Sequence, residues 1–215
     1  MDLRDYIQRK KKGLLIHSNA FISLKFVESF HKIAAKLEYL NRRGGDKVFA
    51  VTSVAENEGK STVASNIALS LADRGYNVVL FDLDAKKPAL YKIFEESYNE
   101  FSELGELFDN KIKYSEFKLR KYKKSSLYLA INTKPYPDYR SWIESGEVER
   151  VLSALKTKVD YIIVDTAPLS VDASVTDIVK IVDKTMMVVR TDVVTASSLN
   201  DALVTLREVG GDVLG

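Results

Sequence analysis

Cysteine is absent from the 215 residues. Its absence removes disulfides, thiolate nucleophiles and zinc–sulfur sites, and fits a reducing cytosol. Histidine is nearly absent as well. With only His17 and His31 present, histidine metal sites and histidine-dependent triads are close to excluded. No apolar run approaches the roughly 18 residues needed to cross a membrane. The opening Met1-Asp2-Leu3-Arg4-Asp5-Tyr6 lacks the basic-then-apolar pattern of a signal peptide. Neither an internal repeat nor a low-complexity tract occurs. Any chemistry must therefore rest on Asp, Glu, Lys, Arg, Ser, Thr or Tyr.

What is present suits one soluble globular domain. Hydrophobic residues make up 46% of the chain, enough for a single large core. The net charge of +2 conceals strong segregation. Residues 1–47 hold 11 Lys+Arg against 5 Asp+Glu, and residues 111–124 hold 7 basic residues against Glu116, so each carries +6 and the rest sums to −10. Basic segments of this size can meet an acidic membrane leaflet or an acidic partner, or form a solvated face.

Residues 1–20 read as a mobile arm. Phe26, Phe30, Ile33, Leu37 and Leu40 then recur at helical spacing, and Asn41-Arg42-Arg43-Gly44-Gly45 stops that helix. A β/α alternation follows. Strands are expected at Lys47–Ser53, Asn77–Leu83, Leu127–Ile131, Tyr161–Asp165 and Lys184–Val189. Helices are expected at Lys60–Arg74, Ser141–Lys158, Asp172–Val182 (with Asp172 as N-cap) and Ala196–Val209. Residues 85–126 read as irregular, with short helices near Leu104–Phe108 and Tyr114–Leu119. The pattern predicts an α/β fold: a doubly wound, mostly parallel sheet flanked by helices, of Rossmann-like type. Residues 1–45 form a basic N-terminal arm and helix, and residues 46–215 the α/β domain. Asp212-Val213-Leu214-Gly215 reads as the start of one more strand, so the domain is expected to continue past it.

Three segments carry the chemistry. Ser53-Val54-Ala55-Glu56-Asn57-Glu58-Gly59-Lys60-Ser61-Thr62 lies between a strand and a helix, where backbone N–H groups and a lysine can face phosphates. Val78-Val79-Leu80-Phe81-Asp82-Leu83-Asp84 and Tyr161-Ile162-Ile163-Val164-Asp165 each end an apolar run in aspartate. Aspartates at the carboxyl ends of parallel strands can reach a metal beside that turn. Glu58, Gly59, Lys60, Ser61 and Thr62 are the candidate nucleotide-binding residues. Lys60 lies across the terminal phosphates, and Ser61, Asp84 and Asp165 are the candidate magnesium ligands. Asp82 and Asp84 alternate on one strand and share a face. They form either a metal shell or a metal ligand plus a proton acceptor. Val54 stands where the strict P-loop pattern has glycine, and Glu56 and Glu58 add negative charge that weakens binding unless they point outward.

Asp82-Leu83-Asp84-Ala85-Lys86-Lys87-Pro88 resembles the second acidic Walker motif of bacterial tyrosine kinases of capsule and exopolysaccharide synthesis. Val164-Asp165-Thr166-Ala167-Pro168 with Asp172-Ala173, and Glu28-Ser29-Phe30 in the N-terminal helix, extend the resemblance over Lys25–Gly215. ParA- and MinD-like ATPases share the fold but carry a signature lysine where Ala55 stands, which favours the kinase branch. The resemblance implies an autophosphorylating protein-tyrosine kinase using ATP and Mg2+, with Lys60, Asp82 and Asp84 catalytic and Asp82 the base for the tyrosine proton. It also implies a cytoplasmic protein, peripheral at the inner face of the plasma membrane. Its partners would be a membrane-embedded polysaccharide co-polymerase that activates it and tyrosine-containing proteins including itself, without nucleic acid.

Lys86 stands where the family has arginine, and His31 and Ala34 replace arginines of its oligomerisation motif, so self-association is expected to be weak. The family's C-terminal tyrosine cluster is not among these residues. Tyr114, Tyr122, Tyr128, Tyr136 and Tyr139 group loosely mid-chain and read first as packing residues. The alternatives are a catalytically weak ATP-binding adaptor of the same system, or a MinD/ParA-like ATPase with water as acceptor. The basic Lys111–Lys124 stretch is expected near the sheet's carboxyl edge, flanking the acceptor entrance, or else to be a solvated loop.

Overall fold

The apolar runs Val48–Ser53, Val78–Leu83 and Tyr161–Thr166 are buried at every position, as strands covered on both faces must be. They form β1, β2 and β5 of a computed structural model that describes residues 24–95 and 102–215. The expected mobile arm at residues 1–20 lies outside the described residues. The sheet has six strands in the order β3-β4-β2-β5-β1-β6, with β3 at Arg120–Lys121, β4 at Leu127–Ala130 and β6 at Lys184–Val188. Every pairing is parallel except that of β3 with β4. Val213 bridges Thr185 in parallel, so the segment after the last helix pairs beside β6.

Alternation along β1 divides the core. Phe49 and Val51 face one apolar cluster, and Val48 and Ala50 face the other. Helix α1 (Leu24–Gly44) packs Phe30, Ala34 and Leu37 into the first cluster, beside Ala64, Ile67 and Leu71 of α2 (Lys60–Asp73). The apolar stripe read from the sequence is therefore spent inside this molecule, although Phe26 remains partly exposed. Glu38 of α1 accepts hydrogen bonds from Arg74 and Arg42, which ties the helix to the end of α2.

The short elements are α3 (Leu90–Ile93), α4 (Leu104–Phe108), α5 (Arg140–Glu144), α6 (Glu147–Lys156) and α7 (Val175–Ile178). The last helix is α8 (Ala196–Glu208). Several expectations are corrected here. The single helix expected over Ser141–Lys158 is two, divided at Gly146, whose φ of 75° is left-handed and open to glycine at little cost. Tyr114–Leu119 holds a turn followed by irregular chain, not a helix. The helix expected over Asp172–Val182 shrinks to α7, and Ser174, not Asp172, occupies its N-cap position.

The basic stretch is also displaced. Ser126 O accepts from Val78 N at the beginning of β2, and Lys121 pairs with Tyr128 near the beginning of β4. Lys121, Lys123 and Lys124 thus lie towards the sheet's amino edge. Only the Lys111 end, where Lys111 N donates to Glu106 O of α4, lies near the carboxyl edge. A strand parallel to its neighbours must start where they start, so the chain has to return before β4 begins.

Candidate active site

Gly59 sets the turn that opens the site. Its φ is 89°, a conformation that side-chain-bearing residues rarely adopt. It precedes the first turn of α2, where no side chain caps the backbone N–H groups. Such an uncapped helix start attracts anions. A cavity of about 500 Å3 lies in front of it, lined by Gly59, Lys60, Ser61, Thr62, Asp84 and Lys86 among others.

Register brings the carboxylates together. Asp82 of β2 is the direct partner of Asp165 of β5, and Asp165 also pairs with Val51 of β1. Lys60 Nζ donates to Asp84 Oδ2 at 2.6 Å. Burial works against the Lys60 ammonium, but Asp165, Asp84 and Asp82 outweigh it and raise its pKa above the ordinary value. The lysine therefore stays charged.

Asp165 is fully buried, and neither of its oxygens has a well-formed hydrogen bond, although the Ser61 hydroxyl lies close enough to favour the carboxylate. Burial pushes its pKa up to about 7, opposed by the Lys60 charge and the nearby Ser61 hydroxyl. A buried carboxylate without donors is costly unless something else supplies the positive charge. Ser61, Asp84 and Asp165 thus fit a hard cation that takes oxygen ligands, and the uncapped start of α2 fits phosphate.

Asp82 is placed differently. Like Asp165 it is fully buried and does not line the cavity, but its oxygens are hydrogen-bonded. Its Oδ1 accepts from Asp84 N at 3.1 Å and its Oδ2 from Asn132 N at 3.4 Å. Burial, then the charges of Asp165 and Asp84, raise its pKa well above the usual carboxylate range against these two amides. Glu58 is turned away as well. It accepts from Ala55 N at 2.6 Å and Arg190 N at 2.9 Å, pinning the loop instead of facing the cavity. Glu56 does line the cavity, paired with Lys87 at 2.6 Å.

Sequence reasoning missed Asn132. It is fully buried, donates to the Asp82 side chain and carbonyl, and accepts from Gly105 N at 2.8 Å. Its signal was available: it ends the apolar run Leu127–Ile131 as Asp82 and Asp165 end theirs. Asp172 was misread as a cap. Its fully buried side chain contacts Lys86 at 2.9 Å and accepts from Ser174 N and Oγ. Burial raises its pKa, but Lys86 and Ser174 hold it below normal.

Among known proteins, CapB, a provisionally named tyrosine-protein kinase of Staphylococcus aureus, is 29% identical over 189 residues. These cover 87% of this chain and 81% of that protein. Tyrosine-protein kinase CpsD of Streptococcus agalactiae is 27% identical over 153 residues, 70% of this chain and 65% of that one. The kinase domain of Escherichia coli tyrosine kinase ETK matches with a TM-score of 0.81 at 18% identity, covering 88% of this chain and 73% of that one. This last likeness speaks for the fold. A family profile described as "ParA: NUBPL iron-transfer P-loop NTPase" matches residues 45–215. The iron-transfer part of that description finds no thiolate here, because the chain has no cysteine. The profile match, the uncapped helix start behind Gly59 and the Lys60 pair with Asp84 converge: the chain belongs to the ParA family of P-loop NTPases.

Proposed function

We propose that the protein is an ATP-dependent protein-tyrosine kinase of capsular or exopolysaccharide synthesis. It would act in the cytoplasm at the inner face of the membrane, with a membrane-embedded polysaccharide co-polymerase as activator. The observation that carries this reading is the buried, under-satisfied Asp165 beside Ser61 and Lys60, near the start of an uncapped helix. The resemblance of Asp82–Pro88 to the kinase motif, and the names of the relatives, favour a tyrosine acceptor over water.

Phosphoryl transfer is mainly positioning and charge neutralisation. The N–H groups at the start of α2 and Lys60 would hold the phosphates, which requires Lys60 to exchange Asp84 for the nucleotide. Ser61, Asp84 and Asp165 would hold magnesium, which when bound neutralises charge on the terminal phosphates. In the transfer, the bond from the γ-phosphorus to the bridging oxygen of ADP breaks and a bond to the phenolic oxygen forms. The phenolic proton goes to a carboxylate. Asp84 has direct access to the cavity, whereas Asp82 is enclosed and must release its contact with Asp84 N to take the proton.

The test is incubation with magnesium and γ-labelled ATP, with and without a basic cytoplasmic segment of the neighbouring membrane protein. Label on tyrosine supports the kinase. Release of free phosphate alone would establish the ATPase reading, and nucleotide binding without either product would establish the adaptor.

A further inference from the structure

A second cavity of about 540 Å3 adjoins the first, and Lys86 lines both. The remaining walls of the second are Pro137, Tyr139 and Arg140, with Asp138, Ser141 and Glu144 around them. Behind the shared lysine lies Asp172, whose buried carboxylate also draws Arg140 to 3.8 Å. Ser174 Oγ, which donates to that carboxylate, is in turn 2.7 Å from the Tyr139 hydroxyl. Lys86 Nζ lies 5.8 Å from the centre of the Tyr139 ring. One buried anion thus fixes two cations and an aromatic wall at the junction of the cavities.

The two cations are not equally occupied. Lys86 makes a close contact with Asp172, whereas Arg140 is held beyond hydrogen-bond length on a side chain that is 55% exposed. A guanidinium in that state keeps planar donors for an incoming carboxylate. Pro137 offers an exposed apolar surface to an aromatic ring, backed by the buried Tyr139, and a ring resting on it lies next to Lys86 and the nucleotide cavity. Asp138 and Glu144 on the same cavity repel a carboxylate that approaches from their side. The site is therefore polarised, with one place for an acidic residue and a rim that rejects others.

Resting on the kinase reading above, we propose that this second cavity is the acceptor site. It takes a protein segment in which tyrosine has an acidic neighbour, with the phenol directed past Lys86 and the neighbouring carboxylate on Arg140. The acceptor entrance then belongs to Lys86 and Arg140, in place of the Lys111–Lys124 stretch, whose lysines 121, 123 and 124 lie towards the other edge of the sheet.

The test uses the full chain loaded with magnesium and a non-hydrolysable ATP analogue. Two fluorescent peptides are titrated by anisotropy, one with tyrosine beside glutamates and one with tyrosine beside lysines. The acidic peptide should bind the parent more tightly. Arg140→Glu should weaken it by about tenfold or more, the scale of one charge-assisted contact, and Arg140→Lys should restore much of the loss. Affinity for the ATP analogue should not change. Equal binding of the two peptides to the parent, or equal binding of the acidic peptide to parent and Arg140→Glu, would overturn the site. A parallel assay with labelled ATP separates the two readings. Arg140-dependent binding without transfer removes the kinase and keeps the peptide site, and transfer that ignores Arg140 removes the site and keeps the kinase.

Discussion

Two aspartates at opposite ends of the same sheet are treated in opposite ways. Asp183, at the amino edge, accepts from Lys47 N, Val48 N and Lys156 Nζ at 2.6–2.9 Å. Burial raises its pKa, but these donors more than offset that and hold it below the ordinary value. Asp165, at the carboxyl edge, is more deeply buried, has no well-formed hydrogen bond and only the Ser61 hydroxyl nearby, and is pushed up to about 7. The amino-edge carboxylate is satisfied within the fold and fastens β1, β6 and α6 together. The carboxyl-edge carboxylate is left incomplete, which costs stability in the free protein and leaves its oxygens short of the donors that a ligand could supply.

The strongest way to break this contrast is to remove the charge that faces the incomplete end. Lys60→Ala should weaken ATP binding well beyond tenfold, on the order of 2–4 kcal/mol for an unpaired buried charge. Unchanged affinity by calorimetry would end the P-loop assignment.

Next in size is a pair of opposite stability effects, each about 1–3 kcal/mol near pH 8. Asp165→Asn should stabilise the nucleotide-free protein. The folded state holds the Asp165 proton up to about pH 7, whereas the unfolded chain releases it near the ordinary aspartate value of 3.8. The penalty removed is therefore full above pH 7 and fades as pH falls towards 3.8. Asp183→Asn should destabilise instead. Its stabilisation is present above 3.8 and is lost as pH falls through the lower folded pKa. Urea unfolding at several pH values checks both, and same-sign effects at pH 8 would collapse the comparison.

A smaller effect is expected at the junction of α1 and α2. Hydrogen bonding from Arg74 outweighs burial and holds Glu38 below its usual 4.5, so its contribution is present above that pH and lost as pH falls through the folded value. Glu38→Gln should cost about 1 kcal/mol at neutral pH and loosen α1, visible as faster amide exchange over Phe30–Leu37. Exchange equal to the parent's would mean that the apolar contacts alone hold the helix. The smallest effect is expected from reversing Lys121, Lys123 and Lys124 to Glu. Because these residues lie away from the site, ATP affinity and transfer to tyrosine should stay within about twofold, since rim charges act weakly at a distance. A large loss of transfer would restore the acceptor role that the sequence suggested for them.

The strands and the three chemical segments were legible because their signals are local. Apolar runs ending in Asp82 and Asp165 specify both a buried parallel strand and what stands at its end. Asn132 carried the same signal and was overlooked because attention was on carboxylates. Asp172 and Lys86 could not be paired from sequence, since their meeting depends on the packing of the β2 and β5 loops. The two-residue β3 exists only through its pairing with β4. The position of Lys121–Lys124 was within reach, because a segment that leads into a parallel strand must begin at the amino edge.

Asp165 is left short of donors for the benefit of a cation bound with nucleotide. Calorimetric titration of ATP into parent, Asp165→Asn and Asp82→Asn, each with magnesium and with EDTA, tests it most directly. Magnesium should strengthen ATP binding to the parent and to Asp82→Asn, and Asp165→Asn should lose most of this gain while still binding ATP through Lys60. A magnesium gain in Asp165→Asn equal to the parent's would contradict it.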